Sequence, residues 1–342
     1  MARNVDVVVG ACWGDEGKGK VTHYLASRKE YDNTPYYNFV CRYNGGSNAG
    51  HTIYHNGKKF ATHIVPSGVF YGIKSVIGPG CVVNLEAFYK EVSELEKGGV
   101  DVSLIKVHPR AHIVTSEHIT EDKAKLAGKL GTTGQGIAPA YRDKYARVGM
   151  LAKDSPIDKS FLLEEDLVGN ILCEGAQGVW LDINWGNYPY VTSSECLPYA
   201  ACSLGFSPRD IRHIYAVAKA YDTRSGEDPD FPASLLDNPE LLAIADAGQE
   251  YGVTTGRRRK VNWLNLDKLI DSCNLTGATQ IIINKCDILE STGKFKLFYQ
   301  NRLVEFKNWQ EMRKMIDSVL STDCSYLTKI VFSSSPEIVE NL

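Results

Sequence analysis

A glycine-rich turn at residues 10–20 constrains the fold of this chain more than any other feature of its sequence. The turn directly follows the apolar run 5–9, which is typical of a buried strand, and it leads into a segment with helical periodicity. From Gly14 its spacing fits the phosphate-binding pattern G-x-x-x-x-G-K, except that Val21 stands where the pattern has a magnesium-binding Ser or Thr. The turn therefore predicts a strand–loop–helix unit that handles phosphate.

Two carboxylates, Asp15 and Glu16, stand inside this turn. A loop that only cradles phosphate gains nothing from acids, because like charges repel each other. An acid at this place makes sense if it binds a metal ion or moves a proton. We therefore interpret the turn as a phosphate-handling loop that also carries catalytic chemistry.

Composition excludes several classes of protein. The 342 residues are 43% hydrophobic and 23% charged, and the net charge of −3 gives no general attraction to nucleic acid or to a membrane surface. No run approaches the roughly 18 apolar residues of a membrane-spanning helix, and the first residues lack the apolar segment of a signal peptide. The nine cysteines are scattered without a C-x-x-C pair, which favours a reducing compartment. We expect a cytoplasmic protein with neither nucleic acid nor membrane as a partner.

Strand and helix candidates alternate along the chain. Strands are predicted at residues 5–10, 38–42, 52–54, 59–64, 75–77, 104–108, 170–174, 214–221, 280–284 and 329–332, and helices at residues 18–27, 85–97, 238–247, 266–273 and 309–320. Strands interleaved with helices predict an α/β fold with a mostly parallel central sheet and inserted hairpins and loops. Residues 1–342 are expected to form a single domain, with ligands at the carboxyl ends of the strands.

Three further glycine-rich segments follow, of which residues 44–52 and 131–136 have the composition of anion-binding loops, whereas residues 174–178 form a turn at the end of a predicted strand. Glycines at this density allow backbone amides to approach an anion closely, and His51 could donate a hydrogen bond to a phosphate oxygen. Each segment alone is also consistent with an ordinary surface turn.

Two more motifs indicate recognition of a small anion and of a nucleotide base. Thr254, Thr255 and Gly256 precede four consecutive cations at residues 257–260, and the planar fork of arginine suits carboxylates and phosphates. A run of cations is otherwise a solvated surface or a targeting signal. Residues 284–287 have the form N-K-x-D after an apolar strand, where the aspartate can accept hydrogen bonds from guanine.

Taken together, these stretches resemble the adenylosuccinate synthetase family. The motifs run in family order from residue 10 to the end of the chain, and the resemblance is carried by residues 13–20, 48–52, 131–134, 174–178, 188–193 and 254–259. It implies the P-loop-like α/β fold of that family, with helices on both faces of the sheet. It also implies a homodimer in which Arg147 completes the active site of the neighbouring subunit.

The reaction implied by the resemblance joins L-aspartate to C6 of a purine nucleoside monophosphate through a 6-phosphoryl intermediate. Asp15 is expected to take the N1 proton of the purine as general base, after which O6 attacks the γ-phosphoryl group of a nucleoside triphosphate. His51 is expected to stabilise the transferred group, and Lys18 is expected to cradle phosphates. One Mg²⁺ per active site is expected on Asp15 and the carbonyl of Gly50, which accounts for Val21.

The remaining site residues follow from the same resemblance. The nucleoside monophosphate is expected against Asn48, Thr133, Arg147, Gln177, Thr192, Ser225 and Arg257. L-aspartate is expected against Val253, Thr254, Thr255, Gly256, Arg257 and Arg259. The nucleoside triphosphate is expected against Gly14, Glu16, Gly17, Lys18, Gly19, Lys20, Gly50, Thr52, Lys285, Asp287, Ser333, Ser334 and Ser335.

Departures from the common family pattern bear on specificity. Ser47 and Gln135 replace a histidine and an arginine. Ser335 adds a side chain where the family has a glycine near the triphosphate base, which argues against strict use of GTP despite Asp287. Residues 224–230 (Arg-Ser-Gly-Glu-Asp-Pro-Asp) replace a plainer run near the monophosphate, and their extra acceptors could receive the 2-amino group of guanine.

This set of departures looks like the phage branch of the family. That branch makes N6-succino-2-amino-2′-deoxyadenylate from dGMP, L-aspartate and ATP, toward 2-aminoadenine DNA, so ATP or dATP is expected over GTP. The alternative is the ordinary enzyme, which uses IMP, L-aspartate and GTP. Two rivals from other classes are a G-protein-like switch, against which Val21 counts, and a nucleic-acid-binding protein, against which the net charge counts.

Overall fold

The computed structural model describes residues 3–48, 50–55, 57–251, 256, 258–335, 339 and 342, and of residues 51, 52, 129 and 130 it describes the backbone alone. The strands are β1 (Arg3–Gly10), β2 (Phe39–Arg42), β3 (His51–His55), β4 (Lys58–Thr62), β5 (Lys74–Ile77), β6 (Val82–Asn84), β7 (Ile105–Val107), β8 (His112–Val114), β9 (Gly169–Glu174), β10 (Ile211–Lys219), β11 (Tyr221–Arg224), β12 (Lys260–Asn265), β13 (Gln280–Asn284), β14 (Lys296–Tyr299), β15 (Arg302–Glu305) and β16 (Lys329–Phe332).

The α-helices are α1 (Lys18–Ala26), α2 (Leu85–Lys97), α3 (Ser116–Glu121), α4 (Ala127–Leu130), α5 (Ile137–Ala146), α6 (Pro239–Ala247), α7 (Leu266–Thr276), α8 (Cys286–Thr292) and α9 (Trp309–Asp323). A π-helical segment, Asp122–Leu126, joins α3 to α4. In the described part of the chain, none of the helices combines the length and the apolar character needed to cross a bilayer.

An eight-stranded sheet forms the centre of the molecule. Its strands lie in the order β16-β13-β10-β1-β9-β2-β5-β7, and each neighbouring pair is parallel. A smaller sheet has the order β11-β12-β14-β15, and β3 pairs with β4 as an antiparallel hairpin. The predicted α/β class with a parallel central sheet and inserted hairpins is confirmed.

Strand β1 shows why both faces of this sheet are covered by helices. Val7 and Val9 point into one apolar core, which also contains side chains of α6, α7 and α9. Val8 points into a second core on the other face, where it packs with Val21 and Leu25 of α1. All three valines are fully buried, so the near-continuous apolar run of β1 is the pattern of a strand covered on both sides.

The predicted strand 214–221 is wrong in one respect, because two strands occupy it. β10 ends at Lys219 and β11 begins at Tyr221. β10 pairs in parallel with β1 and β13, whereas β11 pairs antiparallel with β12. This change of partner requires a bend at Ala220, whose N–H bonds to the Asn284 carbonyl at 2.9 Å. The single-domain organisation stays a prediction.

Candidate active site

A cavity of about 780 Å³ opens at the carboxyl ends of the central strands. The turns after β1, β9 and β13 contribute to its wall, as expected for a parallel α/β sheet. The predicted site residues that line it are Gly14, Asp15, Glu16, Gly17, Lys18, Gly19, Lys20, Asn48, Gly50, Thr133, Gln177, Thr192, Ser225, Arg259, Lys285, Asp287 and Ser335. The fold therefore gathers residues from positions 14 to 335 around one space, while the roles assigned to them stay predictions.

The carboxylate of Glu16 is turned into the glycine-rich turn itself. Its Oε1 accepts hydrogen bonds from the backbone N–H groups of Cys12 (3.1 Å) and Gly14 (2.7 Å), and its Oε2 accepts from Lys18 Nζ (2.7 Å). Glu16 is 2% exposed and Lys18 is 4% exposed, so the pair is buried. Glu16 thus occupies amides that a simple phosphate loop would present to its ligand, and it stabilises the turn.

The backbone of the turn explains two of its residue types. Gly17 has φ +95°, and a Cβ at this position would lie 2.9 Å from Asn284 Nδ2. The same Asn284 amide donates to the Glu16 carbonyl at 2.8 Å, which ties the turn to the end of β13. Asp15 has φ 61°, a left-handed conformation that aspartate tolerates better than most residues.

Asp15 is the acid of the turn that faces the cavity. Its Oδ2 accepts hydrogen bonds from Arg259 Nε (2.8 Å) and from Ser225 Oγ (3.2 Å). Burial by itself raises the pKa of Asp15, but the nearby cations, Arg259 foremost, outweigh that effect and lower it below its ordinary value. Asp15 is therefore a carboxylate at neutral pH and can accept a proton.

A buried ionic network lies behind Asp15, and sequence reasoning did not find it. Glu250 Oε2 accepts from Lys219 Nζ (2.9 Å) and from Arg259 Nη1 (2.7 Å), while its Oε1 accepts from the Tyr221 hydroxyl (2.7 Å). Burial raises the pKa of Glu250, but the charges of Lys219 and Arg259 reverse this and bring it to about 2. The one sign of this network in the sequence is Lys219, a charged residue within the apolar strand predicted at residues 214–221.

Lys20 makes hydrogen bonds to three residues at the end of the cavity formed by β13 and β16. Its Nζ donates to Asn284 Oδ1 (2.9 Å), to Ser333 Oγ (2.7 Å) and to the Ser335 carbonyl (2.6 Å). Burial lowers the pKa of Lys20 to about 8. This lysine therefore connects the turn after β1 with the ends of β13 and β16.

The N-K-x-D motif has a bent backbone at its lysine. Lys285 has φ 64° and its Nζ donates to the Gly248 carbonyl at 2.9 Å. Asp287 lies in the first turn of α8 and lines the cavity.

The loop at residues 131–136 is held by Asp122, which the sequence analysis did not single out. The carboxylate accepts from Thr132 Oγ1 (2.7 Å) and from the Gly136 N–H (2.8 Å), so it binds both ends of the loop. Asp122 is 2% exposed and begins the π-helical segment. Thr133 lies between these two attachments and lines the cavity.

The acidic residues of the loop 225–230 have partners within the protein. Asp228 and Asp230 both accept from Asn187 Nδ2, at 2.8 and 2.9 Å. Glu227 pairs with a lysine of β12. These carboxylates brace the loop, so the acceptor that it presents to the cavity beside Asp15 is the hydroxyl of Ser225.

Several predicted site residues do not line the cavity, and others lie outside the residues that the structure describes. Arg147 directly follows α5 on the exposed surface and is absent from the wall, as are Gly256, Ser333 and Ser334. His51 and Thr52 lie in β3, and their side chains are outside the described part. Val253, Thr254, Thr255 and Arg257 lie outside the described residues.

The oxygen groups at Asp15 fit a Mg²⁺ ion. Mg²⁺ prefers carboxylate, carbonyl and phosphate oxygens, and it is commonly held by one or two carboxylates together with substrate phosphates. The second oxygen of Asp15, Oδ1, makes no hydrogen bond to a described residue, and Gly50 lines the same cavity. Among the described residues no group of three His, Cys, Asp or Glu side chains could hold a metal ion by itself.

The sequence matches one protein family over most of its length. A profile of the family described as "Adenylosuccinate synthetase" matches residues 7–167 and 150–328. The adenylosuccinate synthetase of Shouchella clausii is 37% identical over 348 residues, covering 85% of this chain and 79% of the relative. That of Halothermothrix orenii is 38% identical over 360 residues, covering 87% and 82%.

Two solved structures have the same fold. The fully ligated adenylosuccinate synthetase of Plasmodium falciparum superposes with a TM-score of 0.83 at 26% identity, covering 97% of this chain and 98% of that chain. The succinoaminodeoxyadenylate synthetase (PurZ) of cyanophage S-2L, described as bound to dGMP and dATP, superposes with a TM-score of 0.73 at 20% identity, covering 98% and 94%.

Proposed function

The chain belongs to the adenylosuccinate synthetase family and is therefore a carbon–nitrogen ligase that uses Mg²⁺ and a nucleoside triphosphate, and we propose that its purine substrate is dGMP. The proposed reaction converts dGMP, L-aspartate and ATP into N6-succino-2-amino-2′-deoxyadenylate, ADP and phosphate. It supplies a precursor of 2-aminoadenine DNA.

The observation that carries this proposal is the contact between Ser225 and Asp15. A carboxylate that receives the N1 proton of guanine has the 2-amino group next to it, since C2 is bonded to N1. Ser225 Oγ lies 3.2 Å from Asp15 Oδ2 and faces the same cavity, so its lone pairs can accept from that amino group. Hypoxanthine has only hydrogen at C2 and leaves this acceptor unused.

We propose that Asp15 acts as the general base. Its carboxylate takes the N1 proton, and the electron pair of the N1–H bond makes O6 the nucleophile toward the γ-phosphoryl group, with ADP as the leaving group. The amine of L-aspartate then attacks C6, and the C6–O bond breaks to release phosphate. The lowered pKa of Asp15 keeps it unprotonated before the first step.

Other groups of the chain are proposed to bind and orient the reactants. Lys18 and the turn amides other than those of Cys12 and Gly14, which Glu16 occupies, are proposed to hold phosphates, and His51 is proposed to donate to the transferred phosphoryl group. Mg²⁺, when bound to Asp15 and the Gly50 carbonyl, supplies charge neutralisation for the phosphates. The residues of the segment 253–259 are proposed to bind L-aspartate.

The donor is proposed to be ATP or dATP. Lys20 Nζ donates to the Ser335 carbonyl oxygen at 2.6 Å. This contact holds Ser335 at the wall of the cavity, which Asp287 also lines. A serine in place of glycine narrows the space for the 2-amino group of guanine. Asp287 of the N-K-x-D motif is the one feature of the sequence that favours GTP as the donor, because its carboxylate can accept hydrogen bonds from guanine.

The alternative is the ordinary reaction of IMP, L-aspartate and GTP. It is favoured by the bacterial relatives at 37% and 38% identity, which are adenylosuccinate synthetases. The viral enzyme at 20% identity supports the fold alone, so the choice of purine depends on residues of this chain.

A substrate comparison tests the proposal. We expect dGMP to have a higher kcat/KM than IMP, with ATP, dATP and GTP measured in parallel for each purine. Ser225→Ala is expected to reduce kcat/KM for dGMP by about tenfold more than for IMP, because the lost acceptor for the 2-amino group affects dGMP alone. The lost hydrogen bond to Asp15 affects both purines alike. Equal or better use of IMP by the unmodified enzyme would overturn the assignment.

We further propose a homodimer in which Arg147 reaches the neighbouring active site. Arg147 is exposed at the end of α5 together with Tyr145 and Val148, which are 66% and 74% exposed. An exposed arginine flanked by these side chains is accessible to a second subunit. The nine cysteines are all free, which supports a reducing compartment, and we place the reaction in the cytoplasm.

A further inference from the structure

Two cations reach the cavity beside Asp15 although almost none of their surface is exposed. Lys219 and Arg259 both line the wall, and their side chains are 4% and 9% exposed. Two buried positive charges at close range repel each other and resist desolvation. An acid must therefore compensate them from behind.

Glu250 is that acid. It is 1% exposed and lies behind the wall, where its Oε2 accepts from Lys219 Nζ at 2.9 Å and from Arg259 Nη1 at 2.7 Å. One oxygen atom thus draws both cations together. The Glu250 carbonyl also accepts the Arg259 N–H at 2.9 Å, which fixes the backbone of the arginine.

The network is electrically balanced only while Glu250 is charged. Asp15 and Glu250 supply two negative charges, and Lys219 and Arg259 supply two positive ones. Without the charge of Glu250, Arg259 keeps only its ion pair with Asp15, and Lys219 loses its carboxylate partner. Both changes alter what the two cations can offer to an anion in the cavity.

We propose that Glu250 is a positioning residue for L-aspartate. It touches neither the substrate nor the cavity, and it acts by holding Lys219 and Arg259 side by side so that they bind a substrate carboxylate next to Asp15. The inference rests on the proposed function, because L-aspartate is the anion that must approach the purine at this point.

The test compares Glu250→Gln with a matched buried acid elsewhere in the chain. Glu91 of α2 is 4% exposed and accepts three backbone N–H groups, from His63 (2.8 Å), Ile64 (3.1 Å) and Val65 (3.1 Å), outside the cavity wall. Glu91→Gln changes a comparably buried carboxyl group without touching the two cations. The KM values for L-aspartate, monophosphate and triphosphate are measured for each variant, together with kcat.

For Glu250→Gln we expect kcat/KM for L-aspartate to fall by about 30-fold or more, with the KM for the triphosphate within about twofold of the unmodified enzyme. Glu250→Asp keeps the charge and is expected to recover part of the loss. Any effect of Glu91→Gln is expected to be shared by all three substrates, because it acts on the stability of the fold.

The inference is overturned if Glu250→Gln changes the three KM values equally or leaves kcat/KM for L-aspartate unchanged. If Glu250→Gln does not fold, Glu250→Asp provides the test. Its kcat/KM must then fall selectively for L-aspartate. Phosphate release by the unmodified enzyme that ignores L-aspartate would refute the proposed function, and this inference with it. Aspartate-dependent release with an unselective Glu250→Gln would refute this inference alone.

Discussion

Arg259 donates to Asp15 through Nε at 2.8 Å, and the same guanidinium donates to Glu250 through Nη1 at 2.7 Å. The cavity-facing acid of the glycine-rich turn is thus connected to an acid far away in the chain. The planar fork of arginine allows this, since its N–H groups point in fixed, different directions. The proposed base is therefore held in an ionised state and in a set orientation before any substrate binds.

Asp15→Asn is expected to abolish turnover while the fold remains intact. The amide has nearly the same shape as the carboxylate but cannot take the N1 proton, so the loss is expected to be at least about 10³-fold. Circular dichroism and thermal unfolding serve as the control for folding. Substantial residual turnover would remove Asp15 from the role of base.

The activity is expected to decline as the pH rises through about 8, because burial lowers the pKa of Lys20 to that value. Below this pH the lysine is charged and is expected to attract the triphosphate, and above it the lysine is neutral and that attraction is expected to be lost. The pH profile of kcat/KM for the triphosphate reports this ionisation in the free enzyme. In Lys20→Arg the side chain stays charged, so the alkaline decline should disappear; its persistence would assign the decline to another group.

Glu16→Gln is expected to destabilise the fold by about 3 kcal/mol, because it leaves the buried Lys18 without its carboxylate partner. Urea unfolding measures the change in the free energy of unfolding. Glu165→Gln is the matched control, since it breaks an exposed ion pair with Lys74 and should cost less than about 1 kcal/mol. Equal effects of the two substitutions would mean that the pair inside the turn adds no more to stability than an exposed ion pair.

Arg147→Ala and Asp15→Asn are each expected to be inactive alone and to regain activity when the two variants are mixed. In a symmetric dimer with shared sites, half of the molecules become mixed dimers with one intact site of two, so recovery approaches about a quarter of the unmodified activity. Refolding the variants together and assaying the mixture provides the measurement. No recovery would place Arg147 in the site of its own chain or outside both sites.

Much of the site is visible in the sequence because local patterns carry it. The turn at residues 10–20 combines an apolar strand, glycines and G-K spacing within a few residues, and the N-K-x-D motif likewise follows an apolar strand. The structure places Lys20 and Asp287 from these two motifs on the same cavity. The alternation of strands and helices also sufficed for the parallel sheet, because apolar runs of this length must be covered on both faces.

Contacts between distant residues decided the rest. Nothing in the residues around Glu250 indicates that it joins Lys219 to Arg259, and nothing around Asn187 indicates that it occupies the carboxylates of Asp228 and Asp230. From the sequence, the acidic loop at residues 225–230 is expected to offer free hydrogen-bond acceptors. In the folded chain its carboxylates already have partners within the protein. Glycine spacing and apolar periodicity are properties of a short stretch of chain, whereas the partner of a buried charge depends on which strands the sheet places side by side.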